Sequence, residues 1–234
     1  MTKPLQPIYL LSDSRPLFWK ENDELALSQV KYRLGVASPS AAYVGASNGD
    51  DPQFYSIFTA AMAGIGVSDC RMILSSFSGK DRLFLERADI ILLAGGDLER
   101  GWDVISRVGL KEELIRRYQR GAALLGISAG AIQMGQYGFR RDADPRTSLF
   151  ETLGLAPFVV DVHDETSGWE RLKTVITLLK SGMKGLGIPS GGGVICHPDR
   201  TVEPLGLPAY EFSFHDGKVA QTLLFPDDMR NKQL

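Results

Sequence analysis

Short apolar runs bounded by turn residues recur along the first two thirds of the chain. Each run is almost continuous in apolar residues, which is typical of a strand covered on both faces. The six runs interpreted as strands are PIYLLSD, SAAYVGAS, CRMILSSF, ADIILLAGGD, AALLGIS and FVVDVH. Segments of helical periodicity separate most of them, at 22–34, 52–66 and 110–121. This alternation predicts an α/β protein, a three-layer α/β/α sandwich around a mainly parallel sheet.

The C-terminal region has a different pattern. The segment YEFSFHDGKVAQTLLFP alternates between apolar and polar residues on both sides of Asp216-Gly217, a dipeptide that favours a two-residue hairpin turn. We therefore expect a C-terminal antiparallel hairpin that closes a mixed sheet at its edge. No repeat or linker-like composition divides the 234 residues, so we expect a single domain spanning 1–234.

Charge and composition narrow the class of partner. The formal net charge is −2 and there is no basic run, so we expect no nucleic acid and no membrane as partners. The apolar run before Ser12 is too short for a signal peptide or a membrane span. Cys70 and Cys196 lie far apart and fit neither a disulfide framework nor a zinc site. We expect a cytoplasmic protein whose substrate is small or neutral overall.

The strongest candidate for chemistry is Ser128, which lies in the G-x-S-x-G segment of residues 126–130. An apolar strand precedes this segment and a helix-compatible stretch follows it, as a nucleophile elbow requires. Flanking glycines let the backbone turn sharply and expose the hydroxyl, while N–H groups of the following helix point at a developing oxyanion. The alternative is a tightly packed turn in which Ser128 only caps the helix.

The candidate base is His163, which ends a predicted strand and follows Ser128 in the chain. His197 ends another strand and is the reserve candidate, whereas His215 is expected in solvent at the hairpin turn. Gly95 and Gly96 follow a third strand, where a backbone N–H could supply a second oxyanion donor beside that of Ala129. The same segment, AGGDLERG, lacks the G-x-G-x-x-G spacing of a dinucleotide site.

Four segments, LLAGGD, GISAGA, DVH and GLGIPSGGGV, occur in this order. With them, nearly the entire chain resembles the aspartyl dipeptidase (dipeptidase E) and cyanophycinase family of serine peptidases. The resemblance implies a fold like that of class I glutamine amidotransferases, cleavage of small peptide or isopeptide bonds involving aspartyl residues, and no metal or cofactor. It also implies a monomer or homodimer. By this match Ser128 is the nucleophile, His163 the base, and Gly95, Gly96 and Ala129 form the oxyanion hole.

The resemblance fails at one position of the expected triad. The family carries a glutamate in a segment of the form G-[IL]-[PD]-E-G, and the matching segment here, 187–191, has Ser190 in its place. In a triad this acid fixes the tautomer of the base and stabilises the imidazolium. Ser190 itself could orient His163, a nearby carboxylate could replace the glutamate, or catalysis could be lost and the pocket only bind a peptide-like ligand. The candidate carboxylates are Asp142, Asp144, Asp161, Asp164 and Glu165.

Further departures affect the expected substrate pocket. Asp164 and Glu165 follow the histidine where the family commonly has an aromatic residue, and Leu98 follows G-G-D. The resemblance therefore does not extend safely to aspartyl specificity. Positive side chains that could bind a substrate carboxylate, or equally lie in solvent, are Arg100, Arg140, Arg141 and Arg171. The leading hypothesis is a serine hydrolase acting on small peptides, and the alternatives are a catalytically impaired binding protein and an amidase or acyltransferase acting on a non-peptide amide.

Overall fold

The computed structural model describes residues 3–21, 23–140, 148–180 and 182–226. The strands in chain order are β1 (Ile8–Leu11), β2 (Lys20–Glu21), β3 (Glu24–Leu25), β4 (Ser40–Val44), β5 (Asp69–Ile73), β6 (Ile90–Leu93), β7 (Ala123–Ile127), β8 (Tyr137–Phe139), β9 (Leu149–Glu151), β10 (Phe158–Val162), β11 (Lys184–Ile188), β12 (Gly193–Cys196), β13 (Val202–Leu205), β14 (Ala209–His215) and β15 (Lys218–Leu224). The helices are α1 (Ser28–Leu34), α2 (Pro52–Gly64), α3 (Gly79–Leu85), α4 (Leu98–Arg107), α5 (Leu110–Gln119), α6 (Ala129–Met134) and α7 (Glu170–Leu179).

The main sheet contains seven strands in the order β13-β12-β1-β7-β6-β4-β5. The five strands from β1 to β5 in this order are parallel, and β12 and β13 form an antiparallel edge. In register, Leu11 lies opposite Ile127 and Leu93 lies opposite both Gly126 and Val44. The carboxyl ends of four parallel strands therefore meet at one edge of the sheet, which is where α/β proteins place their ligands.

Helices cover both faces of this sheet, which confirms the three-layer α/β arrangement. Residues of α1 and α2 pack on one face, in a cluster with Tyr9, Tyr43 and Leu92. Residues of α3 to α6 pack on the other face, in a cluster with Leu10, Val44 and Leu93. Neighbouring residues of one strand thus belong to different clusters, which explains why these strands are apolar throughout. None of the helices in the described ranges is long and apolar enough to cross a bilayer.

A second sheet contains four strands in the order β10-β11-β14-β15. One face, with Val160 and Leu186, packs into the cluster that contains α6, and the other, with Val159 and Phe212, packs on α7. The predicted hairpin is confirmed as β14–β15, with Asp216-Gly217 in the left-handed conformation that a two-residue turn requires. The hairpin closes the edge of the second sheet, which is mixed because β10 and β11 are parallel, whereas β12 and β13 form the antiparallel edge of the main sheet.

Two of the three predicted helices are confirmed. The segment 52–66 forms α2, whose N-cap Asp51 accepts a hydrogen bond from the Gln53 N–H at 2.8 Å. The segment 110–121 forms α5, and Gly121 follows it with a φ of 86°. The prediction for 22–34 was wrong in its first half, since β2 pairs with β3 there and α1 begins only at Ser28.

Candidate active site

Ser128 stands at the turn between β7 and α6, at the carboxyl edge of the main sheet. Its φ of 50° and ψ of −112° are rarely adopted by a residue with a side chain. Its N–H donates to the Leu11 carbonyl at 2.8 Å, and its carbonyl accepts from the Ala131 N–H at 2.9 Å. These bonds hold the turn in a conformation that costs on the order of 1–3 kcal/mol in free energy.

The two glycines that flank Ser128 let the helix lie directly on the strands. A Cβ atom at Gly126 would lie 2.6 Å from the Gly130 carbonyl carbon, and one at Gly130 would lie 2.2 Å from the Leu93 carbonyl oxygen. Both distances are shorter than any real Cβ contact, so neither position accepts a larger residue without movement of the backbone. The G-x-S-x-G spacing therefore reflects close packing of α6 against β6 and β7.

His163 follows β10 and reaches Ser128 from the second sheet. Its Nε2 lies 3.0 Å from Ser128 Oγ, within hydrogen-bond distance. The residue has a φ of 46°, and its N–H donates to the Ile188 carbonyl at 2.9 Å, which ties it to the end of β11. The contact thus joins side chains at the carboxyl edges of two different sheets.

The residues expected in an oxyanion hole lie beside Ser128. A Cβ atom at Gly95 would be 3.2 Å from Ser128 Cβ, so the Gly95-Gly96 backbone runs past the serine at close range. Gly96 has a φ of 135°, and a Cβ there would meet the Ser47 carbonyl oxygen at 2.3 Å. Ala129 is the first residue of α6, and its N–H is one of the donors that an α-helix leaves without an internal acceptor.

Ser190 contacts Glu165. The Ser190 N–H donates to Glu165 Oε1 at 3.1 Å, and in the described part of the chain the His163 ring has no hydrogen bond to Ser190. Burial disfavours the charged form of Glu165, but hydrogen bonds from Ser190 and the proximity of His163 outweigh this and lower the pKa of the carboxyl. Glu165, two positions after the histidine, is therefore ionised and near enough to His163 to interact with it electrostatically, while its Oε2 is buried without a hydrogen-bond partner among the described residues and no hydrogen bond joins it to the His163 ring.

Two further candidate carboxylates are described near the histidine: Asp164, which accepts from the Ser167 hydroxyl at 2.5 Å, and Asp161. Asp161 is 5% exposed, its Oδ1 accepts from the Val162 N–H at 2.9 Å, and its Oδ2 is buried without a hydrogen-bond partner among the described residues. Burial raises the pKa of Asp161 to about 7. Asp161 is therefore a poor source of fixed negative charge for His163 and a better hydrogen-bond donor to a ligand.

A cavity of about 670 Å³ opens in front of Ser128 and His163. Gly96, Ala129, Ile132 and Asp161 are among its lining residues. Its acidic and basic lining residues, besides His163, are Asp97, Glu99, Asp161, Asp164 and Arg171. The volume is within the range of cavities that bind small molecules and is sufficient for a short peptide.

The arginines predicted as candidates for a substrate carboxylate differ in position. Arg171 lines the cavity, with its guanidinium 5.0 Å from the centre of the Phe139 ring. Arg140 is exposed, and its Nε lies 3.8 Å from Glu99 Oε2. The Arg100 guanidinium lies next to Gly49, in the turn between β4 and α2. Asp142, Asp144 and Arg141 lie outside the described residues.

The remaining histidines lie elsewhere. Cys196 pairs with Ile8 at the start of β1, so His197, which follows it, lies at the edge of the main sheet opposite Ser128. His197 Nε2 lies 3.1 Å from Glu203 Oε2. His215 is exposed at the hairpin turn, as expected.

Asp13 and Arg15, which sequence reasoning did not single out, support the segment that carries Ser190. Asp13 Oδ2 accepts from the Gly191 N–H at 2.7 Å and from Arg15 Nη2 at 2.6 Å. Burial opposes ionisation, but the bonds from Arg15 and Gly191 lower the pKa of Asp13. The signal was present, since Asp13 follows β1 at the edge where the parallel strands end.

A family model for peptidase family S51 matches residues 9–202. The chain belongs to peptidase family S51. This S51 chain is 30% identical over 131 residues to Peptidase E from Streptomyces coelicolor, and the alignment covers 54% of this chain and 52% of the relative. The chain thus spans about half of the length of that relative.

Solved structures show the same fold as this S51 family member. The crystal structure of a peptidase from an acI-B1 Actinobacterium superposes with a TM-score of 0.71 at 13% identity, covering 95% of each chain. A protein from Listeria monocytogenes EGD-e assigned to peptidase E superposes with a TM-score of 0.61 at 14% identity, covering 87% of this chain and 100% of that one. At sequence identities this low, the structural similarity is evidence for a shared fold alone.

Proposed function

We propose that this protein is a serine peptidase of the dipeptidase E type that cleaves a small peptide or isopeptide bond. One observation carries the proposal: Ser128 Oγ lies 3.0 Å from His163 Nε2 while the serine backbone is held in a strained turn. A nucleophile and base at hydrogen-bond distance, next to glycine-lined backbone, are the arrangement that acyl transfer requires. Membership of peptidase family S51 supports the same reaction class.

In the proposed reaction Ser128 Oγ attacks the substrate carbonyl carbon while His163 Nε2 takes the hydroxyl proton. The carbonyl oxygen becomes an oxyanion, which the backbone N–H groups near Gly96 and Ala129 stabilise. The C–N bond then breaks, and His163 returns the proton to the leaving amine. Water, deprotonated by the same imidazole, attacks the acyl-enzyme, and Ser128 regains its proton as the acid product leaves.

We assign the third position of the triad to Glu165. Its carboxylate is near enough to His163 for the histidine to contribute to its lowered pKa, and it accepts a hydrogen bond from the Ser190 N–H. A carboxylate at this point stabilises the imidazolium that forms during attack, which a serine hydroxyl cannot do. Ser190 is then a positioning residue for Glu165, and Asp13 supports Ser190 through Gly191.

The large cavity is the proposed site for the polar part of the substrate. Arg171 is the described cation in its lining that can bind a substrate carboxylate. Asp161, protonated below about pH 7, can donate a hydrogen bond in the same cavity, while the other acidic side chains disfavour a second negative charge. A zwitterionic short peptide fits this combination of charges.

The proposal is tested by incubating the purified protein with a panel of dipeptides and β-aspartyl dipeptides and measuring product release by mass spectrometry. Turnover of at least one peptide is expected in the wild type, and its loss in Ser128→Ala. A peptide that binds both proteins but is cleaved by neither would instead identify a ligand-binding protein. Cleavage of a simple amide or ester, but of no peptide, would indicate an amidase or acyltransferase.

A further inference from the structure

A second cavity opens on Ser128 from the opposite side of the main sheet. It measures about 280 Å³, and Gly96, Ser128 and His163 line both this cavity and the larger one. The larger cavity extends towards α4 and α6, whereas the second extends towards α2 and the turn after β1. The proposed nucleophile and base therefore lie where the two cavities meet.

The second cavity has an apolar lining that continues into the protein core. Its inner wall consists of buried residues: Leu17, Tyr43, Phe58, Leu92 and Ala94. Its rim is formed by Phe54 and Ile57 of α2, which are 51% and 37% exposed. A large exposed aromatic ring beside an exposed isoleucine is costly in water, and this cost is relieved when an apolar group covers both.

The side chains of Ser12, Asp13, Tyr43 and Asn48 in this lining already have partners. Asn48 Nδ2 donates to the Tyr43 hydroxyl at 2.7 Å, and the Ser12 hydroxyl donates to the Gly192 carbonyl at 3.0 Å. Asp13 is paired with Arg15 and with the Gly191 N–H. A charged substrate group would lose water here without gaining an unpaired counter-charge, whereas an apolar group would lose nothing.

We propose that this cavity, lined by Leu17, Tyr43, Phe54, Ile57 and Phe58, is a subsite that binds an apolar substrate side chain of the size of leucine or phenylalanine. The inference rests on the proposed function, because Ser128 fixes where the scissile bond lies. An apolar cavity of about 150 Å³ accommodates benzene, so this one is large enough for a phenyl group. The substrate then has a polar portion in the large cavity and an apolar residue on the other side of Ser128.

Two sulfonyl fluorides that differ by a phenyl ring test the subsite without knowledge of the substrate. Methanesulfonyl fluoride and phenylmethanesulfonyl fluoride both sulfonylate an activated serine: the Oγ–S bond forms, the S–F bond breaks, fluoride leaves and His163 takes the hydroxyl proton. The ratio of their second-order rate constants at Ser128 is measured in the wild type and in variants, which cancels the intrinsic reactivities.

The variants are Phe54→Asp and Ile57→Asp, with Leu83→Asp as the matched control. All three replace an exposed apolar side chain on a helix, and Leu83 is 67% exposed on α3, away from both cavities. Phe54 lies in the first turn of α2, where a carboxylate is favourable, so folding is expected to survive. Thermal unfolding of each variant checks this directly.

We expect the phenyl-to-methyl rate ratio to fall at least about tenfold in Phe54→Asp and in Ile57→Asp, and to keep its wild-type value in Leu83→Asp. An unchanged ratio in folded Phe54→Asp and Ile57→Asp, with Ser128 still modified, would overturn the subsite and leave the proposed function intact. Failure of both reagents and of a fluorophosphonate to modify wild-type Ser128 would overturn the proposed function, and the subsite with it.

Discussion

The strained backbone at Ser128 suggests a stability test at the scale of a single residue. A φ of 50° with a ψ of −112° penalises any side chain but not glycine. We expect Ser128→Gly to be more stable than Ser128→Ala by about 1 kcal/mol, the reverse of the usual order, because both lose the hydroxyl but only glycine relieves the strain. Chemical denaturation of both variants measures the difference, and a less stable glycine variant would contradict the stated strain.

A second residue-scale prediction concerns Asp161, whose pKa is raised to about 7 by burial. The folded protein holds a proton that the unfolded chain loses near pH 4. This contribution to stability is fully present below pH 4 and is lost as the pH rises through about 7. We expect Asp161→Asn to raise the free energy of unfolding by about 2 to 4 kcal/mol at pH 8, since one pKa unit corresponds to about 1.4 kcal/mol.

The same variant at pH 4 is the control for Asp161, because the wild-type carboxyl is then protonated in the folded state. Denaturation curves at the two pH values should show wild type and Asp161→Asn close together at pH 4 and apart at pH 8. A difference that does not change with pH would mean that Asp161 is not buried in the way the structure shows.

At the scale of elements, the contact of α6 with β6 determines where Ser128 lies. A methyl group at Gly130 would overlap the Leu93 carbonyl, so Gly130→Ala should push α6 outward, destabilise the protein by about 2 kcal/mol or more and slow labelling of Ser128. Gly79→Ala is the control, because Gly79 begins α3 with open space around its Cβ position and should tolerate alanine or gain stability. Equal effects of the two substitutions would exclude close packing as the reason for the glycine.

Local sequence patterns predicted the strands well because burial on both faces leaves a continuous apolar run in the sequence. All six predicted strands form, and so does the hairpin around Asp216-Gly217. The assignment of strands to sheets could not be predicted, since alternation shows which face is buried but not which strand is the neighbour. FVVDVH and the hairpin therefore belong to a second sheet that no local pattern indicated.

The candidate site was predictable in part for the same reason. Ser128 and His163 each end a strand, and strand ends meet at a sheet edge, so their proximity could be expected. Glu165 lies in a short turn after β10, and Ser190 lies just after the end of β11. The two residues that make the contact are thus 25 positions apart in the chain. Among five candidate carboxylates, only three-dimensional structure could indicate Glu165.

At the scale of the whole molecule, the site depends on how the two sheets are held together. Ser128 belongs to the main sheet and His163 to the second, and Val160 of β10 lies in the cluster that also contains residues of α6. Val159, next to it, faces the opposite cluster with Trp169 and Phe212. Both valines are fully buried, so each can be truncated at a comparable cost.

We expect Val160→Ala and Val159→Ala to lower the free energy of unfolding by similar amounts, about 1 to 3 kcal/mol. Only Val160→Ala should also slow modification of Ser128. The space left by its lost methyl groups lies between the two sheets and loosens the 3.0 Å contact between Ser128 Oγ and His163 Nε2. The rate at which a fluorophosphonate probe modifies Ser128, measured well below the melting temperature of both variants, distinguishes the two variants. Equal slowing by both would show that the sheet interface has no special role.

The central claim, a Ser128 nucleophile activated by His163 and Glu165, is tested most directly by the rate at which a fluorophosphonate probe modifies Ser128. The rate is compared in the wild type, in Glu165→Gln and in Glu170→Gln, an exposed carboxylate on α7 that serves as the control. We predict modification of wild-type Ser128, identified by peptide mass spectrometry, at a rate that Glu170→Gln retains. Glu165→Gln should react about 10² to 10⁴ times more slowly, since neutralising a triad acid can cost about 10⁴ in rate. An unmodified Ser128 in the wild type, or a Glu165→Gln variant that reacts as fast as the wild type, would contradict the account.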